Sequence, residues 1–276
     1  MDAYPLNLIL AVATASASIF IGFLPTKTIS STFFARESAK FILAWVLVAL
    51  SSPSQVVHYP LIFAFLCFAA WWHFRRDNAF TGKMWLSMAS GLSISIGVMF
   101  ILAVTPRAYP PGLSPLSEGL LLASIYLGGA VIGLAYVCFT FIQGAKSSSG
   151  VTQSLIQRYV GLLPYLTLAR AAVILGTFFL FPGHYESKIT YPNTSDTVAI
   201  PYTSIELKST VAYVTEGHFS LTDLIVLCLT VFILPVLALL AQNQTSLSSR
   251  VQPTRTLIAI VLVGFLTEIL ARYLVL

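Results

Sequence analysis

Apolar residues run in long blocks along this chain, separated by short polar stretches rather than by alternation. Eight blocks stand out, at about 6–25, 41–57, 59–74, 84–105, 119–143, 160–182, 221–241 and 256–276. Most reach the roughly 20 residues that an α-helix needs to cross a hydrocarbon core of about 30 Å. The pattern predicts an all-α, polytopic transmembrane bundle of about eight spans, with 1–276 forming one integral membrane domain. The second and third blocks are short and meet at Ser51-Ser52-Pro53-Ser54-Gln55. Two tilted crossings or one re-entrant hairpin fit that junction. Two crossings is the expectation, since re-entrant backbone is tolerated only when buried in protein or lining water.

Loop charge then orients the bundle. Lys27, Arg36, Lys40, Arg75, Arg76, Lys83, Lys146, Arg158, Arg250 and Arg255 fall in alternate loops, against Arg107, Lys188 and Lys208 on the other side. Lys and Arg concentrate in cytoplasmic loops, so both termini and the long segment 183–220 are expected outside. Trp71, Trp72, Trp85 and Tyr159 lie where an inner aromatic belt belongs. The outer segment shows short strand-like alternation over 204–214, which fits a hairpin or an irregular lid. The first block follows a single early charge, Asp2, whereas a secretory signal wants a basic start. It reads as an uncleaved span of a multi-pass cell-membrane protein.

Composition agrees: 57% of the 276 residues are hydrophobic and only 9% charged, where soluble domains carry roughly 25% charged. Mean hydropathy is +0.86. The formal charge of +5 follows from the basic inner loops and does not indicate nucleic acid; the expected partners are the lipid bilayer and other subunits. Cys67, Cys138 and Cys228 all lie in apolar blocks without Cys-x-x-Cys spacing, so neither a disulfide framework nor a zinc site is expected. The four histidines are too dispersed for a bis-His haem. Nucleotide-loop, metalloprotease and nucleophile-elbow motifs are missing, which disfavours a self-contained ATPase or hydrolase. No cofactor and no catalytic residue is assigned.

Small residues at spacing four mark candidate packing faces: Ser87, Gly91 and Ser95; Ser124 and Gly128; Gly129 and Gly133; Ala172 and Gly176. Pro164 and Pro235 interrupt the sixth and seventh blocks and permit kinks. The most informative residues are charges at membrane depth. Arg170 and Glu268 lie about ten and twelve residues from the inner ends of their blocks, or roughly 15 and 18 Å deep. Burying a charge there is costly, so each should face the bundle and find a partner. Arg272, one turn above Glu268, could share it or snorkel to the outer interface. Tyr126, Tyr136, Thr140, Tyr165 and Thr167 are candidate hydroxyl donors to the same interior. Two readings follow: a structural ion pair, or a polar site for a proton, an anion or a quinone head group. Glu118, Asp223 and His218 read as ordinary outer-end polar groups.

The tail Thr267-Glu268-Ile269-Leu270-Ala271-Arg272-Tyr273 resembles the Glu-x-x-x-Arg-aromatic ending of haem-free quinol-oxidising anchor subunits of the dimethyl sulfoxide reductase type. The likeness covers about ten residues and implies eight spans with outside termini. It does not extend to His73, which falls on the inner side, or to that family's quinol-site pattern. The expected function is a non-catalytic membrane subunit or anchor of a larger complex with a quinone-type site. The competing expectation is a small-solute or ion permease using the Arg170/Glu268 pair, which likeness between the two halves of the chain would favour.

Overall fold

The computed structural model describes residues 4–52, 57–104, 115–146, 150–180, 221–247 and 253–273, and these form helices without strands. In chain order they are α1 (Tyr4–Gly22), α2 (Ser31–Leu50), α3 (His58–Arg75), α4 (Ala79–Val104), α5 (Pro115–Lys146) and α6 (Gln153–Leu180). There follow α7 (Leu221–Cys228), a π-helical turn (Leu229–Ile233), α8 (Leu234–Leu247) and α9 (Thr254–Tyr273). The segments 183–220 and 204–214, read above as an outer lid, lie outside the described residues.

Element boundaries differ from the apolar blocks most at α2. It starts at Ser31, ten residues before the second block, because Ser30 caps it: its hydroxyl accepts from the Phe33 N–H. Arg36, Glu37 and Lys40 are therefore helical rather than parts of a loop. The stretch 41–74 falls on two separate helices, α2 of 20 residues and α3 of 18, packed along each other. At 1.5 Å per residue each is about 27–30 Å long.

Pro235 is accommodated by the π turn just before it. Proline lacks the N–H that would continue the α pattern. The Leu234 N–H bonds the Leu229 carbonyl, five residues back, which widens the helix one residue ahead of the ring.

The helices pack in two rings that follow chain order. In the first, α1 lies on α2, α2 on α3, α3 on α4, and α4 returns to α1; in the second, α5 lies on α6, α6 on α8, α8 on α9, and α9 returns to α5. The rings join along α1 and α5. A side chain on Gly129 would strike Val12, and one on Gly133 would strike Ala13, Ser16 and Ala17. Numbers rise together along both helices, so α1 and α5 run parallel, their small residues letting the backbones touch. Other expected packing faces are not used. Ser87 and Gly91 of α4 face outward, while Ser90 and Ser93 are buried, and the Ser90 hydroxyl donates to the Ser18 carbonyl at 3.0 Å. Gly91 and Gly176 have open space where a methyl would stand, and Ala172 is exposed. Spacing alone cannot tell which face of an apolar helix meets a neighbour.

Among the described residues, three helices are long and apolar enough to cross a membrane, over Leu122–Ala145, Gln153–Gly176 and Leu224–Ser246. The first is 72% buried, the others 33% and 28%, so α5 is the central mast while α6 and α7–α8 turn apolar faces outward. Outward stripes at helical spacing include Leu43, Leu47 and Leu50 on α2 and Ile258, Leu262 and Leu266 on α9. The interior meanwhile buries Thr14, Ser16, Ser18, Ser90, Ser93 and Thr140. Large apolar groups outside and small polar ones inside are the pattern expected when the solvent is lipid. The apolar helices fit a membrane protein.

Candidate functional site

Two buried carboxylates stand beside α5. One is Glu268 on α9, 3% exposed, which receives Nη2 of Arg170 from α6, itself 1% exposed. The same Nη2 donates to the Thr267 hydroxyl at 3.2 Å, and that hydroxyl donates to the Gly264 carbonyl at 2.8 Å. The carboxyl rests on the backbone of α5 at Gly128, where a methyl carbon would lie 2.6 Å from Glu268 Cδ. Three helices thus converge: α6 supplies the cation, α9 the anion and α5 the space. Glycine is needed at 128 because any side chain would occupy the carboxylate's position. The pair is sealed from solvent, so each charge depends on the other.

The second carboxylate is Glu37 on α2, fully buried. Its Oε1 accepts from Arg36 Nε at 3.1 Å and Lys40 Nζ at 3.0 Å; its Oε2 accepts from Lys40 Nζ at 3.1 Å and the Tyr136 hydroxyl of α5 at 2.9 Å. The Arg36 and Lys40 side chains are 42% and 41% exposed. The Lys40 ammonium also lies 5.6 Å from the Tyr136 ring centre, a cation–π contact. Tyr136 and Gly128 are eight residues apart on α5, which puts the two carboxylates at levels about 12 Å apart.

The expected site residues therefore divide. Arg170 and Glu268 meet. Tyr136 does not join them, because it lies two turns along α5 and donates to Glu37. Thr167 is buried on α6, but its hydroxyl donates to the Pro164 carbonyl at 2.9 Å, within its own helix. Arg272 falls in the last turn of α9, and its side chain lies outside the described residues, as do those of Glu118 and Asp223. Tyr126 donates to the Ile94 carbonyl at 3.1 Å, Thr140 to the Val137 carbonyl at 2.8 Å, and Tyr165 is exposed. Thr267 takes the place expected for Thr167.

Glu37 was missed by reading residues 26–40 as a loop. A signal was present: Phe34, Glu37, Phe41, Trp45 and Val48 form one stripe at helical spacing, and all are buried. Extending that stripe toward the N-terminus puts Glu37 on the inner face.

The end of the bundle holding Arg36 and Lys40 is tied together. Ser31 donates to Asp77 at 2.7 Å, and Lys83 Nζ donates to the Leu24 carbonyl at 3.0 Å. Gln157 donates to the Thr245 carbonyl at 3.2 Å, and Thr256 to Gln244 at 2.8 Å. Gly150, at φ +79°, lies against the Thr28 carbonyl, a conformation and an approach that favour glycine. Among the described residues no group of His, Cys, Asp and Glu is arranged to hold a metal ion. Cys67 and Cys138 are buried, and Cys228 is exposed.

Compared with known families, curated proteins and solved structures, the chain matches no family model, no curated protein and no solved structure.

Proposed function

We propose that this protein is a non-catalytic membrane subunit, an eight-span anchor with both termini outside that holds a larger complex in the cell membrane. The observation that carries this reading is that both interior carboxylates are clasped by the chain's own side chains. Each clasp joins helices distant in sequence, α2 to α5 through Tyr136 and α6 to α9 through Arg170, the arrangement of a fixed scaffold rather than a moving gate. The tied loops at the basic end favour the same reading, because they present a stiff face to a partner. A quinone-type head group belongs at the Glu37 cluster rather than the Arg170–Glu268 pair. The Arg36 and Lys40 side chains are about two-fifths exposed there, and their outer N–H groups can donate to a quinone carbonyl while Tyr136 holds Glu37 against them.

Mild-detergent purification from the native membrane tests this reading. Stoichiometric copurification of another subunit, with bound quinone lost in Tyr136→Phe, is the expected result. A lone protein without partner or quinone would reject it. Sidedness is checked in a cysteine-free background by placing single cysteines at Gly112, Ser195 and Gly217, which should react with an impermeant thiol reagent in intact cells. Cysteines at Asn78, Ser148 and Ser248 should not.

The ring architecture favours a second reading. Two four-membered rings with the same internal order, joined by parallel first helices, are what a repeat-built permease would have. Solute or proton flux in reconstituted vesicles, abolished by Glu268→Gln, would establish it over the anchor.

A further inference from the structure

The basic residues at the tied end are used unequally. Arg36 and Lys40 serve Glu37, and Lys83 serves the Leu24 carbonyl. Arg75 and Arg76, at the end of α3, are exposed, and among the described residues neither makes an ion pair. Each instead lies over the indole one helical turn earlier. The Arg75 guanidinium carbon is 5.4 Å from the Trp71 ring centre, and that of Arg76 is 4.3 Å from Trp72. The nearest acid, Asp77, takes a left-handed turn at φ 54° and accepts from Ser31 on α2. His73, one turn before Asp77, is only partly buried.

A guanidinium held by its face keeps its edge donors for another ligand, and those donors match two oxygens of a phosphate. Each guanidinium is preorganised, since its indole restricts a long side chain that would otherwise lose freedom on binding. Apolar surface adjoins the indoles: Phe68 lies 5.5 Å from Trp71 and 6.4 Å from Trp72 between ring centres, and Phe68 and Trp72 are 45% and 44% exposed; α4, packed on α3, also exposes Phe80 and Met84. Phosphate recognition beside exposed aromatic and aliphatic surface is the chemistry of a lipid head group with its acyl chains, not of a free anion.

We infer that Trp71, Trp72, Arg75 and Arg76 form a binding site for the phosphate of an anionic diacyl phospholipid at the inner face of the membrane. This rests on the membrane reading above and does not depend on the anchor role. The test is native mass spectrometry of the detergent-purified full chain with phosphatidylglycerol or phosphatidylcholine of identical acyl chains. The wild type should retain phosphatidylglycerol in preference by roughly tenfold or more, the size expected of two basic residues near an anionic head group. Arg75→Gln with Arg76→Gln should remove that preference, and Trp71→Leu with Trp72→Leu should weaken it with both charges kept. Arg158→Gln with Arg255→Gln, at the same end of the bundle, should leave it intact. Equal retention of both lipids by the wild type overturns the inference, as does a preference that survives loss of Arg75 and Arg76. Complete displacement by glycerol phosphate at equal concentration also overturns it, because the ligand would then be a soluble phosphate. A chain that stays in solution without detergent and binds neither lipid would instead refute the membrane reading.

Discussion

The Glu37 cluster and the Arg170–Glu268 pair both bury a carboxylate against α5, yet they are assembled in different ways. Around Glu37 the cations come from the same helix, one residue before and three residues after it. Their side chains are about two-fifths exposed, so they can reach polar surroundings without the rest of the fold. Glu268 takes its cation from a residue 98 positions away, and both partners are sealed. Glu37 has its counter-charges as soon as α2 forms. The Arg170 charge reaches Glu268 only when α6 and α9 have met. A local cluster stabilises an element, whereas a distant pair reports that the elements are correctly arranged. Burying an ion pair brings little net stability, but breaking one is costly.

That contrast can be tested by stability measurements in detergent. The largest expected loss is for Arg170→Met, about 3–5 kcal/mol, because Glu268 would remain charged in a dry interior. Adding Glu268→Gln should recover more than half of that loss. If it recovers nothing, the pair is not a mutual dependence. Gly128→Ala should cost about 1–3 kcal/mol by driving a methyl into the carboxylate. Gly91→Ala, where space is open, should be neutral or stabilising by up to about 1 kcal/mol. Equal effects at these two glycines would mean that the carboxylate does not rest on α5. Glu37→Gln should cost about 1–2 kcal/mol, since the amide can still accept from Tyr136 while Arg36 and Lys40 turn outward. A loss as large as that of Arg170→Met would erase the distinction between the two sites. The smallest loss among the carboxylates and their partners belongs to Tyr136→Phe, about 0.5–1.5 kcal/mol for one hydrogen bond, read as a shift in the thermal midpoint.

The class of fold was legible because lipid imposes long apolar helices whatever their neighbours are. Arg170 and Glu268 were legible for the same reason: a charge within an apolar block has nowhere else to go. Tyr136 and Thr167 were assigned to the wrong neighbours because a hydroxyl has several options. It can satisfy a backbone carbonyl of its own helix, as Thr167 does, or a carboxylate two turns away, as Tyr136 does. Glu37 was hidden by its flanking charges, which made a buried helical turn look like a loop. Among the small-residue stripes, Gly129 and Gly133 meet α1 while Ser87 and Gly91 meet nothing, because spacing is shared by seams and free faces alike.

The chain-ordered rings carry a consequence for how the protein is made. Helices α1 to α4 close on one another before any residue of α5 is needed, so the first half is complete when residue 104 has been synthesised. Domains of a growing chain form N-terminal first, and here the second ring can then dock along a seam that is already shaped. Parallel α1 and α5 meet through Ala13, Ala17, Gly129 and Gly133, small groups that join without the first ring reopening. Two separately translated pieces, 1–110 and 111–276, are therefore expected to reassociate through this seam, and copurification of the coexpressed pieces checks it.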